Sequence, residues 1–395
     1  MEKTRKEEDE QAMEGLPNDL LREILSRVPY RSLCRLKCVS PAWLALCSDP
    51  AVRRRSPQTL SGFFGDSPEG TARFINLSGR GWPLVDPSLP FLRGFENVKL
   101  LDCCGGILLC HGMRARRAEY IVCNPATEEI WAALPVPHSH HKPPEYYFHD
   151  HTISLCFDPA VPSRFTVFVI IDDDHGITAV EVYSSDAREW ASMSSGWGHQ
   201  KRIGSPGLQI FWDEWRSRES GYFFLDGTLY FIAYYYDSGY NIFDLEGSTV
   251  NLIVTVDTNG STWRTIQQPP KVKFTVIGHS QGRLHGMQID HDIGCRLSVW
   301  VLENYASGQW TLKHTANILE PLGRPCLSRH FTLVAIHPEH NLIFLKGSVE
   351  SKQALMSYDM DTQNLQVICS LESYPMENLR PYAPCFVEWP PSDAH

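Results

Sequence analysis

The chain has 395 residues, of which 43% are hydrophobic and 21% are charged. This composition is typical of a folded globular protein of two or three domains and excludes an intrinsically disordered chain. The amino-terminal residues are charged and lack the apolar stretch of a secretory signal, and no apolar run is long enough for a membrane helix. The twelve cysteines form no Cys-X-X-Cys pair, so we expect reduced thiols and a cytoplasmic or nuclear location.

Charge is distributed unevenly along a chain whose net charge is −10. Residues 1–14 carry three basic and six acidic side chains, whereas residues 15–57 carry eight basic and three acidic ones. The remaining residues are therefore strongly acidic. An acidic body argues against binding to nucleic acid or to anionic membranes, because both depend on Lys and Arg contacts to phosphate. The basic segment instead indicates an acidic protein partner.

Three short helices are predicted between residues 16 and 50. We expect Asn18 to cap the first helix and Pro29 to end it. Ser32 is the predicted cap of the second helix, and Ser40, followed by Pro41 at the first helical position, is that of the third. Helices this short bury little apolar surface among themselves, so the module needs further packing.

The first helix carries two adjacent apolar stripes, Leu16, Leu20 and Ile24 on one side and Leu21, Leu25 and Val28 on the other. One stripe is sufficient for a small local core. The other needs a partner, which is either the rest of this chain or a second protein. The sequence alone leaves open which stripe faces outward.

This stretch resembles the F-box, the motif that docks on the Skp-type adaptor of cullin–RING ubiquitin ligases. The resemblance is carried by Leu16-Pro17, Asp19-Leu20-Leu21, Glu23-Ile24-Leu25, Val28-Pro29, Leu33, Val39-Ser40 and Trp43. It implies binding to the adaptor and, through the adaptor, to a cullin. The residues that it implies as adaptor-facing or interface-supporting are Leu16, Pro17, Leu20, Ile24, Pro29, Leu33, Val39 and Trp43.

The rest of the chain contains a repeated unit with a turn, short β-rich segments and a later aromatic residue. The turn positions 106, 163, 227, 282 and 341 are separated by 55 to 64 residues. The residues that end the units are Trp131, Trp190, Trp263, Trp310 and, in the last copy, Leu365. Five copies and a degenerate stretch at 58–100 predict a β-propeller of about six blades, with each tryptophan between neighbouring blades.

A pair of β-sandwiches is the rival fold, but it does not predict a shared repeat. We expect the segment Phe386–Trp389 to close the ring against the first blade. The units resemble kelch-type blades and, more closely, the F-box-associated repeat domain common in plants. The predicted organisation is mainly β with a small α module: a disordered acidic tail at 1–15, an F-box at 16–50, a linker at 51–60 and the propeller at 61–391.

No catalytic or cofactor site is predicted. The histidine-rich segment 138–151 lies in a stretch with four prolines, Pro135, Pro137, Pro143 and Pro144, and is interpreted as a loop rather than a metal site. Asp172–Asp174 is interpreted as a hairpin turn. Kelch-like propellers include a copper radical oxidase, but the sequence does not bring together the Cys, Tyr and His residues that this chemistry needs. We therefore expect a non-catalytic protein that binds no metal.

Long loops on a propeller are suited to partner recognition. The stretch 194–220 combines aromatic and arginine residues, the types that dominate interfaces, and the loop at 138–151 is the second candidate. The predicted target-binding residues are Trp197, Arg202, Trp212, Trp215, Arg216, His140 and His149. The predicted function is the substrate-recognition subunit of an SCF-type (Skp–cullin–F-box) ligase. The alternative is a non-ligase protein- or glycan-binding propeller whose helices pack on it as a cap.

Overall fold

Helices α1 (Asn18–Leu25), α2 (Tyr30–Leu36) and α3 (Pro41–Cys47) precede a series of antiparallel sheets. The structure is a computed structural model. It describes residues 17–28, 30–49, 52, 59–67, 71–77, 85–137, 153–159, 163–173, 176–194, 210–212, 222–236, 249–291, 294–318, 331–349, 352–372, 376–387 and 389.

Helix boundaries follow the sequence signals only in part. Ser40 caps α3 as expected, since its Oγ accepts a hydrogen bond from the Trp43 N–H at 3.3 Å. Helix α1 already includes Asn18, and Pro17 precedes it without a side-chain cap. Ser32 lies inside α2, not at its start. In both cases the helix begins before the position that follows the predicted cap: α1 begins at Asn18 itself, and α2 begins at Tyr30.

The described strands form six antiparallel sheets, here called blades 1 to 6 and listed from the innermost strand outward. Blade 1 is β24 (Glu377–Tyr382), β1 (Gly62–Asp66) and β2 (Ala72–Asn76). Blade 2 is β3 (Glu96–Cys104), β4 (Ile107–Arg114), β5 (Arg117–Asn124) and β6 (Glu129–Pro135). Blade 3 is β7 (Ile153–Phe157), β8 (Phe165–Asp173), β9 (Gly176–Ser184) and β10 (Glu189–Ser194).

Blade 4 is β12 (Tyr222–Leu225) and β11 (Ile210–Trp212), both paired with β13 (Thr228–Tyr236), then β14 (Thr249–Asp257) and β15 (Trp263–Gln267). Blade 5 is β16 (Val276–Ser280), β17 (Arg283–Asp290), β18 (Arg296–Asn304) and β19 (Gln309–Asn317). Blade 6 is β20 (Thr332–Ile336), β21 (Leu342–Val349), β22 (Lys352–Asp359) and β23 (Asn364–Ser370). A short 3₁₀ helix, Pro90–Leu92, precedes blade 2.

The innermost strands contact one another around an axis. Strand β3 touches β7, β12 touches β16, β16 touches β20, and β20 touches β24, which returns to β3. The contacts between β3 and β7 join residues that are the same distance apart in the sequence. Asp102 contacts Leu155 and Cys104 contacts Phe157, a separation of 53 residues in each case. The inner strands therefore run parallel around the axis. The fold is a six-bladed β-propeller, and the sandwich alternative is wrong.

The ring is closed by β24, which pairs antiparallel with β1 through Gly62↔Tyr382 and Phe64↔Arg380. The prediction that Phe386–Trp389 supplies the closing strand is therefore wrong. That segment packs elsewhere: the indole of Trp389 stacks on Trp131 with ring centroids 4.8 Å apart. The chain after the closing strand thus contributes to the core between blades 2 and 3.

The repeat tryptophans lie on the outermost strand of their blades. Trp190 Nε1 donates to the Pro135 carbonyl oxygen at 2.8 Å, and Trp310 Nε1 donates to that of Gln267 at 2.9 Å. Each acceptor is the last residue of the outermost strand in the preceding blade. These two tryptophans therefore bind neighbouring blades together, as predicted. Trp263 Nε1 donates to the Gly260 carbonyl oxygen within its own blade, but its ring packs against the core cluster shared by blades 3 and 4.

The turns between the first and second strands need residues with positive φ. Gly106 has φ +87° and Gly282 has φ +77°, a region that costs other residues roughly 1–2 kcal/mol. A Cβ at Gly106 would overlap the Ala383 carbonyl oxygen and approach Cys385, whereas nothing lies within 4 Å of a Cβ at Gly282. Gly106 therefore allows the chain after β24 to pass close to blade 2.

This difference predicts unequal effects for two matched substitutions. Gly282→Ala should lower the free energy of unfolding by about 1 kcal/mol, because only backbone strain is added. Gly106→Ala should cost about 1–3 kcal/mol more, because it also displaces the segment at 383–385. Urea denaturation of both variants measures the two losses. Equal losses would show that this segment does not pack against Gly106.

Candidate interaction surfaces

The helical module has a core of its own. Its buried residues come from all three helices and the following segment, and they are Leu21, Leu25, Leu33, Leu46, Cys47 and Val52. Half-buried Val28, Leu36 and Trp43 pack around this cluster. The stripe of α1 that contains Leu21 and Leu25 is therefore the inner one.

The other stripe of α1 is exposed. Leu20 and Ile24 are each 51% exposed, and Val39 and Leu44 are 57% and 49% exposed. The described part of the chain has nine exposed large hydrophobic residues, and these four are among them. The helical module is much shorter than the propeller, so it carries a disproportionate share of them. Its surface is thus unusually apolar, which is typical of a face that another molecule covers.

The structure separates the residues implied by the F-box resemblance into two groups. Pro17, Leu20, Ile24 and Val39 lie on the surface, and Trp43 is half-buried at the edge of the core. Leu33 is fully buried at 0% exposure, so it lies in the core of the module beneath the surface. Leu16 and Pro29 lie outside the described residues.

Leu44 joins the exposed group although the sequence analysis did not select it as a site residue. The signal was available in part, because Leu44 lies two residues before Leu46 on α3, and residues two apart on a helix do not share a face. Leu46 is buried and Leu44 is exposed. The exposed apolar face, hereafter the module face, is defined by Pro17, Leu20, Ile24, Val39 and Leu44.

Charged residues surround this face and hold the helices together. Arg22 Nε donates to Asp49 Oδ2 at 2.9 Å, which connects α1 with the residue that follows α3. Arg22 also pairs with Asp19 at 3.3 Å, and Arg27 pairs with Glu23 at 3.0 Å. Exposed pairs of this kind contribute little free energy, and of the three only the Arg22–Asp49 pair joins separate parts of the module.

Topology relates the two predicted target-binding segments. Residues 138–152 lead directly to Ile153, the first residue of β7, and residues 213–221 lead to Tyr222, the first residue of β12. Because the inner strands run parallel, their first residues lie on one face of the ring. We call this the entry face. Both segments therefore connect to the propeller at the entry face, at consecutive blade junctions.

Of the individual target-binding residues, only Trp212 lies within the described part of the chain. Those outside the described residues are Trp197, Arg202, Trp215, Arg216, His140 and His149. Trp212 is the last residue of β11, which pairs with β13 through Trp212↔Ala233. The interpretation of 194–220 as one long loop is therefore wrong at this point, because backbone pairing with blade 4 makes part of it a strand.

Metal-ligand groups and thiol pKa values describe the chemistry of the described residues. They contain no group of three or more His, Cys, Asp or Glu side chains arranged to hold a metal ion. Burial raises the pKa of the Cys104 thiol to about 12, and burial also raises the pKa of Cys156 well above its usual value. Such thiols remain protonated at neutral pH and are weak nucleophiles. Within the same residues, no helix has the length and apolar character needed to cross a bilayer.

Comparison with known proteins is consistent with this arrangement. Residues 13–55 match the F-box domain model, and residues 92–375 match the model of the F-box associated beta propeller domain. An Arabidopsis thaliana protein named as an F-box/kelch-repeat protein is 25% identical over 375 residues, covering 91% of this chain and 85% of that protein. An F-box protein of the same plant is 24% identical over 327 residues, covering 77% and 71% respectively.

The division between inner and outer stripes predicts that neighbouring substitutions in α1 destabilise the module to very different extents. Leu25→Ala should destabilise the module by about 2–5 kcal/mol, because it leaves a cavity in the core. Ile24→Ala should change its stability by less than about 0.5 kcal/mol, because that side chain already faces water. Hydrogen exchange of the α2 and α3 backbone amides reports both effects. Similar losses of protection in the two variants would contradict this assignment.

Proposed function

Since the chain belongs to the F-box proteins that carry an F-box-associated β-propeller domain, we propose that it is the substrate-recognition subunit of an SCF-type ubiquitin ligase. One observation carries the proposal: the helical module completes its own core yet leaves a second apolar stripe of α1 exposed. That stripe is the surface which a Skp-type adaptor would cover.

The adaptor would bind the module face. Leu20 and Ile24 lie one helical turn apart on α1, and Leu44 lies on α3, so the apolar surface spans more than one helix. Fully burying one such side chain contributes about 1.5–3 kcal/mol. Trp43, at the edge of the core, is a stiff aromatic anchor of the type that dominates interfaces. Leu33 would support this surface from within the three-helix module.

The target protein would bind at the entry face of the propeller. Support comes from the topology, which connects both sequence-predicted recognition segments to this face. The adaptor and a cullin would then hold a ubiquitin-charged enzyme near a target lysine, so that proximity supplies the rate enhancement. In this account the chain itself binds but does not catalyse, requires no cofactor, and acts in the cytoplasm or the nucleus.

The alternative function is a non-ligase protein- or glycan-binding propeller with the helices packed as a cap. Under that alternative, the propeller would cover the module face. The exposure of Leu20 and Ile24 favours the ligase account, because a cap would bury this stripe.

Binding to a purified Skp-type adaptor tests the proposed function. The double variant Leu20→Ala/Ile24→Ala should weaken the complex by at least about 100-fold, because two buried contacts are lost. The matched control is Leu312→Ala/Val367→Ala, which removes two exposed apolar residues of the propeller. It should bind like the unaltered chain. Calorimetry measures both affinities, and unchanged binding by the α1 variant would contradict the proposal.

A further inference from the structure

A cavity of about 300 Å³ lies on the axis of the propeller. Every blade contributes to it through its innermost strand, from Asp102 in blade 2 to Arg380 in blade 1. Small-molecule sites are concave, mostly apolar and about 300–1,000 Å³ in volume, with a few polar groups that fix orientation. The axial cavity has this size, and the proposed ligase function does not use it.

The cavity wall is mainly apolar. Its apolar residues include Leu155, Phe224, Ile277, Ala335 and Leu379. The polar side chains in the wall are Asp102, Tyr222, His279 and Arg380. An apolar molecule with one polar group is therefore the type of ligand that matches the lining.

The Asp102 carboxyl group already accepts hydrogen bonds from other residues of the protein. Its Oδ2 accepts from the Leu155 N–H at 2.6 Å, its Oδ1 accepts from the Cys103 N–H at 2.7 Å, and the Tyr222 hydroxyl donates to the same carboxyl group. These bonds join β3 to β7 and β12. The carboxyl group thus ties blades together and offers little to a ligand.

Only one of the three guanidinium nitrogens of Arg380 donates hydrogen bonds within the described part of the chain. Its Nη1 donates to Asp66 Oδ2 at 3.2 Å and to the Asn378 carbonyl oxygen at 2.9 Å. Its Nε and Nη2 donate to no atom in the described part of the chain, although the side chain is only 17% exposed. Neither atom is among the fully enclosed unpaired side-chain atoms of the described residues, so both reach open space. Arg380 lines the cavity, and charged donors of this kind form strong hydrogen bonds to an oxygen acceptor.

The charges of the site define the polar group of the ligand. The Arg380 guanidinium is already paired with Asp66, and burial raises the pKa of the Asp102 carboxyl group. A ligand carboxylate would lose its hydration for a guanidinium that is already neutralised, and an ammonium group would find both carboxyl groups already hydrogen-bonded. An uncharged oxygen acceptor avoids both penalties.

We propose that the axial cavity binds a small, uncharged, mostly apolar molecule whose carbonyl oxygen accepts hydrogen bonds from the Nε and Nη2 of Arg380. This site lies within the propeller, so it does not depend on whether the module face binds an adaptor. The ligand class includes amides, lactones and ketones with a single apolar body.

Three probes of similar shape and different charge test this class: 4-phenylbutanamide, 4-phenylbutanoate and 4-phenylbutylamine. Ligand-observed NMR and calorimetry on the full chain measure their affinities. The amide should bind at least about tenfold more tightly than the carboxylate or the amine. Equal or tighter binding of either charged probe overturns the proposal, and so does the absence of amide binding at about 10 mM.

Variants locate the binding. Arg380→Lys retains the charge beside Asp66 but removes the two free donors, and it should weaken amide binding at least about tenfold. Arg264→Lys, an exposed position on the outer strand β15, is the matched control and should change nothing. Should Arg380→Lys fail to fold, Ala335→Leu serves instead, because it fills the cavity without touching the ion pair. Amide binding that survives in the folded variant overturns the proposal.

Discussion

The antiparallel pairing of β24 with β1 is the interaction on which the rest of the structure depends. It joins Tyr382 to Gly62 across almost the whole propeller sequence and turns a row of sheets into a closed ring. An open row would expose unpaired strand edges at both ends, which promotes association between chains. Closure also brings the inner strand of blade 1 against those of blades 2 and 6, which completes the axial cavity with Arg380. Because closure needs both ends of the propeller sequence, loss of the carboxy-terminal strand should open the entire ring.

The helical module takes no part in the pairing of β24 with β1, and it differs from the propeller in leaving much of its apolar surface exposed. It buries a small cluster centred on Leu33 and leaves an apolar stripe of α1 in water. Small helical domains gain limited stability from their own cores, so a second protein that covers the remaining apolar surface stabilises them considerably. The chain thus combines a closed propeller ring with a helical module whose outer apolar stripe is exposed. These properties suit a receptor that connects a target to an assembly.

The sequence predicted the repeat more accurately than the connections between repeats. A turn and a tryptophan at regular spacing identify blades, because each blade needs the same tight hairpin and the same contact with its neighbour; Trp190 and Trp310 confirm this. The closing strand was assigned to the wrong segment, since 386–389 (FVEW) is mostly apolar, whereas 377–382 (ENLRPY) is mostly polar and is identified as a strand only by its pairing with β1. Pairing with β13 likewise places Trp212 in a strand. Arg380 and Asp102 were missed, because they are far apart in sequence and meet only in the closed ring.

Photo-cross-linking tests the central claim most directly. A benzophenone side chain is placed at Ile24 in one sample and at Leu312 in another, and each full chain is mixed with a Skp-type adaptor. Both positions are exposed apolar sites, one on the module face and one on the propeller. The account predicts a cross-link to the adaptor from position 24 and none from position 312. A cross-link from position 24 to the propeller of the same chain, with none to the adaptor, would contradict it and would identify the helices as a cap.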